Sequence, residues 1–178
     1  MKEELDEVLI EKSKSGDMAA FKMLVERHEG KVAGVVRSMI GATPAAEDIG
    51  QEVFIRFYDS LNKFRGESKV STYLIRIAIN LTINELKSRQ KANARYASLE
   101  SASGVEDTTE RVDLRELLDY EFKKLDPDFQ AVATLRLIEG YSVEETSLLL
   151  EIPIGTTLSR LARAQKKLRL ALSKKLKP

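Results

Sequence analysis

Residues 142–164, SVEETSLLLEIPIGTTLSRLARA, are the stretch that decides the fold of the C-terminal part of the chain. Ser142 and Glu145 have the spacing of a capping box, in which the serine side chain accepts from a free backbone N–H and the glutamate reaches back. We predict three consecutive elements: a short helix over 143–150, a turn over 151–153 and a long helix over about 154–175. A short helix, a tight turn and a long basic helix form a helix-turn-helix.

The last of these helices has the composition of a DNA-recognition helix. Residues 154–178 hold eight Lys and Arg residues and no Asp or Glu. A recognition helix places polar and basic side chains of its N-terminal half in the major groove, with cations beside the phosphates. The alternative is an αα-hairpin with a solvated basic helix, and the motif alone does not separate a repressor from other DNA-binding proteins. The residues that fit contact with DNA are Thr156, Thr157, Ser159, Arg160, Arg163 and Lys166.

The rest of the sequence predicts helices almost throughout. Asp17 can cap a helix over about 17–25, a separate helix over about 32–40 ends at Gly41, and Thr43-Pro44 opens one that runs to about Leu61. This last helix has an apolar stripe formed by Ile49, Val53, Phe54, Phe57 and Leu61. A long helix is expected over about 70–87 with Leu74, Ile77, Ala78 and Leu81 on its core side, and the first helix of the C-terminal part has Leu114, Leu117, Leu118 and Phe122 on its apolar side. Small polar residues dominate 93–112 and helical periodicity fails there, which is typical of a linker. We therefore predict an all-α fold of two small helical domains, 1–92 and 113–178, joined by a flexible linker over 93–112.

Composition excludes several classes of protein. A hydrophobic share of 43% with 32% charged residues is typical of a soluble globular chain. No apolar run approaches the roughly 18 residues of a membrane span, and the charged N-terminus lacks an apolar signal-peptide core. The chain has no Cys, which excludes disulfides and thiolate metal sites. Its single histidine, His28, argues against a zinc enzyme or a His-based catalytic triad. We expect no metal and no cofactor.

Charge is segregated along the chain. The 178 residues sum to +1, which taken whole argues against binding to nucleic acid. The net charge is nevertheless −4 over 1–60, +6 over 61–96, −9 over 97–153 and +8 over 154–178. Two basic blocks thus alternate with two acidic ones, and charge distribution counts for more than the sum. Solvated faces of fortuitous sign are the alternative.

The first basic block interleaves aromatic residues with cations. Phe64 and Tyr73 stand among Lys63, Arg65 and Lys69, and a loop containing Gly66 precedes a helix. Single-stranded nucleic acid is bound by cations along its backbone together with aromatic or pocket contacts to unstacked bases. The alternative is that Phe64 and Tyr73 belong to the core and anchor the loop, whose polar atoms would still be free to read bases.

An acidic stripe lies on the helix before this block. Asp48, Gln51 and Glu52 fall on its polar side, on a different helix of the same small domain. Such residues are usually just solvated. A domain with one acidic and one basic face can also hold a protein partner and DNA together.

These motifs resemble a known family. The runs at 47–54 (EDIGQEVF), 64–68 (FRGES) and 72–78 (TYLIRIA), followed by Asn80-Leu81, resemble conserved region 2 of extracytoplasmic-function (ECF) sigma factors. The runs at 140–145 (GYSVEE), 152–156 (IPIGT) and 159–164 (SRLARA) resemble region 4. Both sets occur in the family's order and separation, and the resemblance covers nearly the whole chain apart from the linker.

The resemblance implies a cytoplasmic transcription initiation factor without catalytic residues. Asp48, Gln51 and Glu52 would dock on the coiled coil of the largest subunit of core RNA polymerase. The linker would thread toward the RNA exit path. An anti-sigma factor would cover both domains and could hold the protein at the membrane, and no small-molecule substrate is implied.

Promoter contacts are also implied by the resemblance. The helix-turn-helix would read the duplex −35 element, with Arg136, Tyr141 and Ser142 on phosphates and Thr156, Thr157, Ser159, Arg160, Arg163 and Lys166 in or beside the groove. The unstacked non-template strand of the −10 element would be captured by Lys63, Phe64, Arg65, Ser68, Lys69, Ser71, Thr72, Tyr73, Arg76 and Asn80.

Two positions depart from the family pattern. Tyr73 stands where the family commonly has Trp, and this chain has no Trp. Tyr can still fill an apolar slot with its hydroxyl outward. Leu158 stands where a Lys or Arg is common, which removes a long cation from the predicted recognition helix, so the −35 sequence need not follow the family's consensus.

Two other functions compete with this one. A stand-alone repressor would be a homodimer on a palindromic duplex site, with no need for polymerase. It leaves the acidic stripe and the basic loop unexplained. A helical enzyme has little support, because the chain lacks a glycine-rich phosphate loop and a recognisable carboxylate pair.

Overall fold

The computed structural model describes residues 5–97 and 114–175, with side chains for 5–95 and 114–173. Every regular element in these ranges is helical, and the chain divides into two compact units, Met1–Thr82 and Ile83–Pro178. The α-helices are α1 (Asp6–Lys14), α2 (Met18–Ile40), α3 (Pro44–Ser60), α4 (Val70–Ala97), α5 (Leu114–Lys123), α6 (Pro127–Ala133), α7 (Val143–Leu150) and α8 (Ile154–Lys175). A 3₁₀ turn, Leu61–Lys63, follows α3, and a π turn, Thr134–Ile138, follows α6.

The predicted helix starts are confirmed by their caps. The Asp17 side chain accepts from the backbone N–H of Ala19 and Ala20 at 2.9 and 3.1 Å. Thr43 accepts from Ala46 at 3.3 Å, ahead of Pro44 at the first helical position. Each cap satisfies N–H groups that have no partner within the helix, which is why short polar side chains mark these starts.

Two predicted helix boundaries are wrong. The two helices predicted over 17–25 and 32–40 are a single helix, α2. Gly30 and Gly34 lie within it, and each glycine costs about 1 kcal/mol against Ala. The buried residues Val32, Val35 and Val36 hold this stretch in the core and outweigh that cost.

The long helix α4 continues to Ala97, past its predicted end at 87 and into the predicted linker. The two units divide within it, after Thr82 rather than at 92. The rest of the predicted linker, 98–112, lies outside the described residues.

The core of the first unit is formed by α1, α2, α3 and the first part of α4. The stripe predicted on α3 is confirmed, because all five of its members are buried: Ile49, Val53, Phe54, Phe57 and Leu61. On α4 the prediction is half right. Leu74 and Ala78 are fully buried, but Ile75 and Ile79 fill the other core positions, while Ile77 and Leu81 are only half-buried.

The second unit has a smaller core. Leu117, Leu125, Leu135, Leu149 and Ala164 are buried, while Leu114 and Leu118, predicted to be apolar-side residues of α5, are exposed. The predicted capping box is present: Ser142 accepts from the Glu145 N–H at 3.0 Å, and the Glu145 carboxylate accepts from the Ser142 N–H at 2.7 Å. The predicted helix-turn-helix is thereby confirmed as α7, a turn and α8.

No helix among the described residues is long and apolar enough to cross a membrane. Over the same ranges, no three His, Asp or Glu side chains are grouped so that they could hold a metal ion.

Replacing Phe57 should unfold the first unit more readily than replacing an exposed neighbour. We expect Phe57→Ala to lower the free energy of unfolding by about 3–5 kcal/mol, because a fully buried ring leaves a cavity. Ile55→Ala, on the exposed side of the same helix, should change it by less than about 0.5 kcal/mol. Urea unfolding followed by circular dichroism measures both, and equal losses would contradict the assignment of Phe57 to the core.

Candidate nucleic-acid and protein interfaces

An aromatic cluster anchors the basic loop of the first unit. The Phe64 ring lies 5.9 Å from the Phe57 ring and 5.2 Å from the Tyr73 ring, both at steep angles, and Phe64 is buried. The Tyr73 hydroxyl donates to Ser60 Oγ at 3.1 Å instead of pointing to solvent. The sequence left open whether Phe64 and Tyr73 contact bases or belong to the core; the structure shows them as core residues that anchor the loop. As placed here, Phe64 offers no stacking face to a base.

Sequence reasoning missed a contact that holds the start of this loop. Lys14 Nζ, at the end of α1, donates to the Phe64 carbonyl at 3.2 Å and contacts Glu11 at 2.8 Å. Asp6 ties the other end of α1 to α2, because its carboxylate binds Arg27 and lies 2.8 Å from Nε2 of the buried residue His28. Helix α1 is therefore fixed at both ends and acts as a brace for the loop.

The loop itself presents polar and basic groups outward. The Arg65 side chain is 83% exposed, and its 4.0 Å contact with Glu67 is between exposed groups and contributes little. Gly66 has a φ of +72°, the left-handed region that glycine enters without strain. Exposed or half-buried positions are occupied by Lys63, Arg65, Ser68, Lys69, Ser71, Thr72, Arg76 and Asn80.

The start of α4 continues this surface. Thr72, Arg76 and Asn80 follow each other at intervals of four residues, so they lie on one stripe of the helix. A cleft of about 650 Å³ opens between the loop and α1. Lys14, Arg27, Arg65 and Lys69 are among its lining residues, together with acidic residues of α1. The arrangement provides cations and hydrogen-bonding groups beside a loop whose ends are fixed.

The predicted acidic stripe lies on α3 beside a groove, and Gln51 is the member of the stripe that lines it. Asp48 and Gln51 are exposed, whereas the Glu52 carboxylate accepts from Arg56 Nε at 2.7 Å, which partly offsets its charge. A groove of about 470 Å³ runs between α2 and α3, with Gln51 and Ile55 on its α3 side. The Ile55 side chain is exposed and lies one turn beyond Gln51. An apolar groove with an acidic edge suits contact with another protein.

The turn before α7 is a compact set of polar groups. The backbone N–H of Glu144 and the Ser142 hydroxyl, with Arg136 nearby, hold the pKa of the Glu144 carboxyl below its usual range. Arg136 also donates to the Tyr141 carbonyl. Arg136, Tyr141 and Ser142 thus lie close together, and a phosphate bound there would have to compete with Glu144 for the Ser142 hydroxyl.

Helix α8 exposes only part of the set of residues predicted to contact DNA. Thr157 is fully buried, with its hydroxyl 3.5 Å from the Pro153 carbonyl, so its placement on the DNA-facing side was wrong. Arg160 is half-buried and lies 3.9 Å from Asp128 of α6. Thr156 is half-buried. Ser159, Arg163 and Lys166 are exposed.

Removing the Lys14 ammonium should loosen the basic loop. We expect Lys14→Met to speed backbone amide exchange at 65–69 by about three- to tenfold, because the chain loses a hydrogen bond from a charged donor. Hydrogen–deuterium exchange with mass spectrometry measures it. Lys22→Met is the matched control, since Lys22 is an exposed lysine that pairs with Glu26 on its own helix. Equal exchange in both variants would show that ring packing alone holds the loop.

Comparison with known proteins places the chain in a family. The model of sigma-70 region 2 matches residues 24–92. The RNA polymerase sigma-H factor of Pseudomonas aeruginosa is 32% identical, with 99% of this chain and 96% of that protein aligned. The ECF RNA polymerase sigma-E factor of Escherichia coli K12 is 33% identical, with 100% of this chain and 98% of that protein aligned.

Solved structures agree on the fold. CnrH, solved in complex with the cytosolic domain of CnrY, superimposes with a TM-score of 0.68 at 24% identity, covering 95% of this chain and 97% of that one. The sigma factor RpoE of Bartonella quintana, solved with the anti-sigma factor NepR, gives 0.60 at 21% identity, with 86% and 96% covered. With relatives a third identical over its whole length, the chain belongs to the family of ECF RNA polymerase sigma factors.

Proposed function

We propose that this chain binds core RNA polymerase in the cytoplasm and directs it to promoters, reading a duplex −35 element with the second unit and a melted −10 element with the first. The observation that carries the proposal is the alignment of relatives named RNA polymerase sigma factors along the entire chain, both units included. The polymerase supplies the chemistry, so the work of this chain is binding and positioning.

The polymerase-binding surface is the exposed face of α3. Asp48 and Gln51 offer a carboxylate and an amide to solvent, and Glu52 lies one turn from Asp48. The groove beside Gln51 adds apolar surface, including Ile55. A basic and amphipathic helical partner would place cations on the carboxylates and apolar side chains in the groove. Charged rims raise the rate of encounter, and buried apolar contacts supply most of the affinity.

The −10 surface is the loop at 63–69 with the first turns of α4. Melted DNA exposes bases that have lost their stacking partners, and a protein gains by offering them polar contacts and cations for the backbone. Arg65 and Lys69 supply the cations, whereas Ser68, Ser71, Thr72 and Asn80 supply short polar groups. Because Phe64 and Tyr73 hold both ends of the loop, these groups are positioned before DNA arrives. Binding the separated strand in preference to the duplex favours melting.

The −35 surface is the helix-turn-helix of the second unit. In this motif the second helix enters the major groove and residues near its N-terminus meet the base edges. Ser159 and Arg163 are exposed on α8, and Lys166 continues the cationic surface toward the phosphates. Arg136 and the capping-box turn lie beside the first helix of the motif, where the DNA backbone is contacted. To contact DNA, Arg160 would have to leave its contact with Asp128 and bind a phosphate or base instead.

Regulation by an anti-sigma factor completes the proposal. RpoE of Bartonella quintana, which shares the fold, was solved in complex with the anti-sigma factor NepR. The groove between α2 and α3 is a surface that such a protein and the polymerase would both use, which makes their binding exclusive.

Transcription with purified components tests the function directly. We expect core RNA polymerase of the host to initiate at defined positions on a pool of genomic fragments only when this chain is added, because core alone lacks promoter-reading surfaces. Run-off products and their start sites are the measurement. A purified chain that neither binds core polymerase nor supports initiation on any fragment would overturn the proposal.

Reversing charge on α3 should weaken the complex with polymerase. We expect Asp48→Lys combined with Glu52→Lys to lower affinity for core polymerase by about tenfold or more, since like charges then face each other. Helical content should stay unchanged because neither side chain is buried. Fluorescence titration with core polymerase measures the affinity.

A matched control carries the same change of charge elsewhere. Glu116 and Asp119 are exposed on α5 of the second unit. Glu116→Lys combined with Asp119→Lys should leave the affinity within about twofold of the parent chain. If both pairs weakened binding equally, the effect would come from total charge. If Asp48→Lys with Glu52→Lys reduced helical content, the acidic stripe would be needed for folding rather than for binding.

A further inference from the structure

The N-terminal half of the recognition helix α8 exposes apolar side chains where the sequence suggested polar ones. Leu158 is 50% exposed and Ile154 is 48% exposed. Ala162 is exposed as well. The three residues follow each other at intervals of four, so they form one apolar stripe along the helix. We call Ile154, Leu158 and Ala162 the apolar stripe.

Three polar residues around the stripe, Thr157, Ser159 and Arg160, make contacts within the protein. Thr157 is buried. The Ser159 hydroxyl donates to the Thr156 carbonyl at 3.0 Å, which occupies its only hydrogen. Arg160 is turned toward Asp128, and its side chain is 27% exposed. In the first two turns of α8, Ile154 and Leu158 are therefore the large side chains that are about half exposed, and Leu158 lies next to Ser159.

The surroundings of the stripe favour DNA as its occupant over a protein. Residues 154–178 carry a net charge of +8, and the next stripe of the helix holds Ser159, Arg163 and Lys166, all exposed. A surface that combines cations with an adjacent apolar side chain is complementary to a polyanion that also exposes apolar groups. The major groove does so at one base, because the thymine C5-methyl group projects into it.

We propose that Leu158 is a specificity-determining residue that selects thymine in the −35 element by contact with its methyl group, with Ile154 extending the contact by one turn. The inference rests on the proposed reading of the −35 element by α8. A leucine side chain makes no hydrogen bond to a base edge. Leu158 would therefore distinguish thymine from the other three bases only by the methyl group that thymine presents in the major groove. The element read by this chain should accordingly contain a thymine opposite Leu158.

Replacing thymine by deoxyuridine tests the contact because it removes the methyl group alone. The −35 element is first recovered from a randomised duplex library with the complete chain bound to core polymerase. Each thymine of that element is then replaced singly by deoxyuridine and the affinity is measured. At one or two positions we expect binding by the parent chain to fall about fourfold, the effect of one methyl group leaving an apolar contact.

Variants assign the effect to Leu158. In Leu158→Ala the ratio of affinities for thymine and deoxyuridine should approach one at the sensitive position. In Leu158→Lys the preferred base there should change toward guanine, since lysine pairs with the O6 and N7 acceptors of guanine. Leu170→Ala is the matched control, because Leu170 is 51% exposed on the same helix, three turns further on. It should keep the full fourfold difference.

The outcomes separate this inference from the proposed function. Recovery of no element at all would count against reading of a −35 sequence by this chain. An element that is recovered but contains no thymine, or that shows no methyl effect, would overturn the role of Leu158 alone. A loss in Leu158→Ala that is equal on thymine and deoxyuridine DNA would likewise overturn it and assign the stripe to a protein contact.

Discussion

The packing of the Phe57 ring against Phe64 and Tyr73 is the contact on which the surface of the first unit depends. Phe64 and Tyr73 stand on either side of the loop at 65–69. Because both rings are held by the same buried side chain, the ends of the loop stay in place without any of its polar groups being buried. A binding surface gains from such support, since groups already in position lose less entropy when a ligand arrives.

Helix α1 adds a second level of support that an apolar contact cannot provide. Ring packing holds the Phe64 side chain, and the Phe64 N–H donates to the Ser60 and Leu61 carbonyls at 3.1 Å. The hydrogen bond from Lys14 holds the Phe64 carbonyl, and the Asp6 contacts with Arg27 and His28 keep α1 on α2. The second unit uses a comparable arrangement, in which the capping box fixes the start of α7 and buried Thr157 and Ala164 fix the phase of α8.

Features that depend on neighbouring residues could be predicted from the sequence, and those that depend on distant ones could not. Asp17, Thr43 and Ser142 cap helices because each side chain reaches an N–H two or three residues away. The buried face of α3 follows from the helical spacing of its apolar residues alone. Lys14 and Phe64 are fifty residues apart, so no local pattern indicates their contact. The continuity of α2 through Gly30 and the π turn at Thr134–Ile138 likewise reflect tertiary packing, which overrides local preference.

Helix α8 shows why residue type is a poor guide to the surface that a helix presents. Successive residues of an α-helix point about 100° apart, so Thr157 and Leu158 cannot both face the same partner. By residue type, Thr157, which can form a hydrogen bond to a base, was the better candidate for the exposed face than Leu158, which cannot. In the structure, however, Thr157 and Ala164 are buried on one face of the helix, and this packing sets the direction of every other side chain. A substitution at Leu158 therefore changes what α8 presents to a partner, whereas one at Thr157 changes how α8 packs against the core.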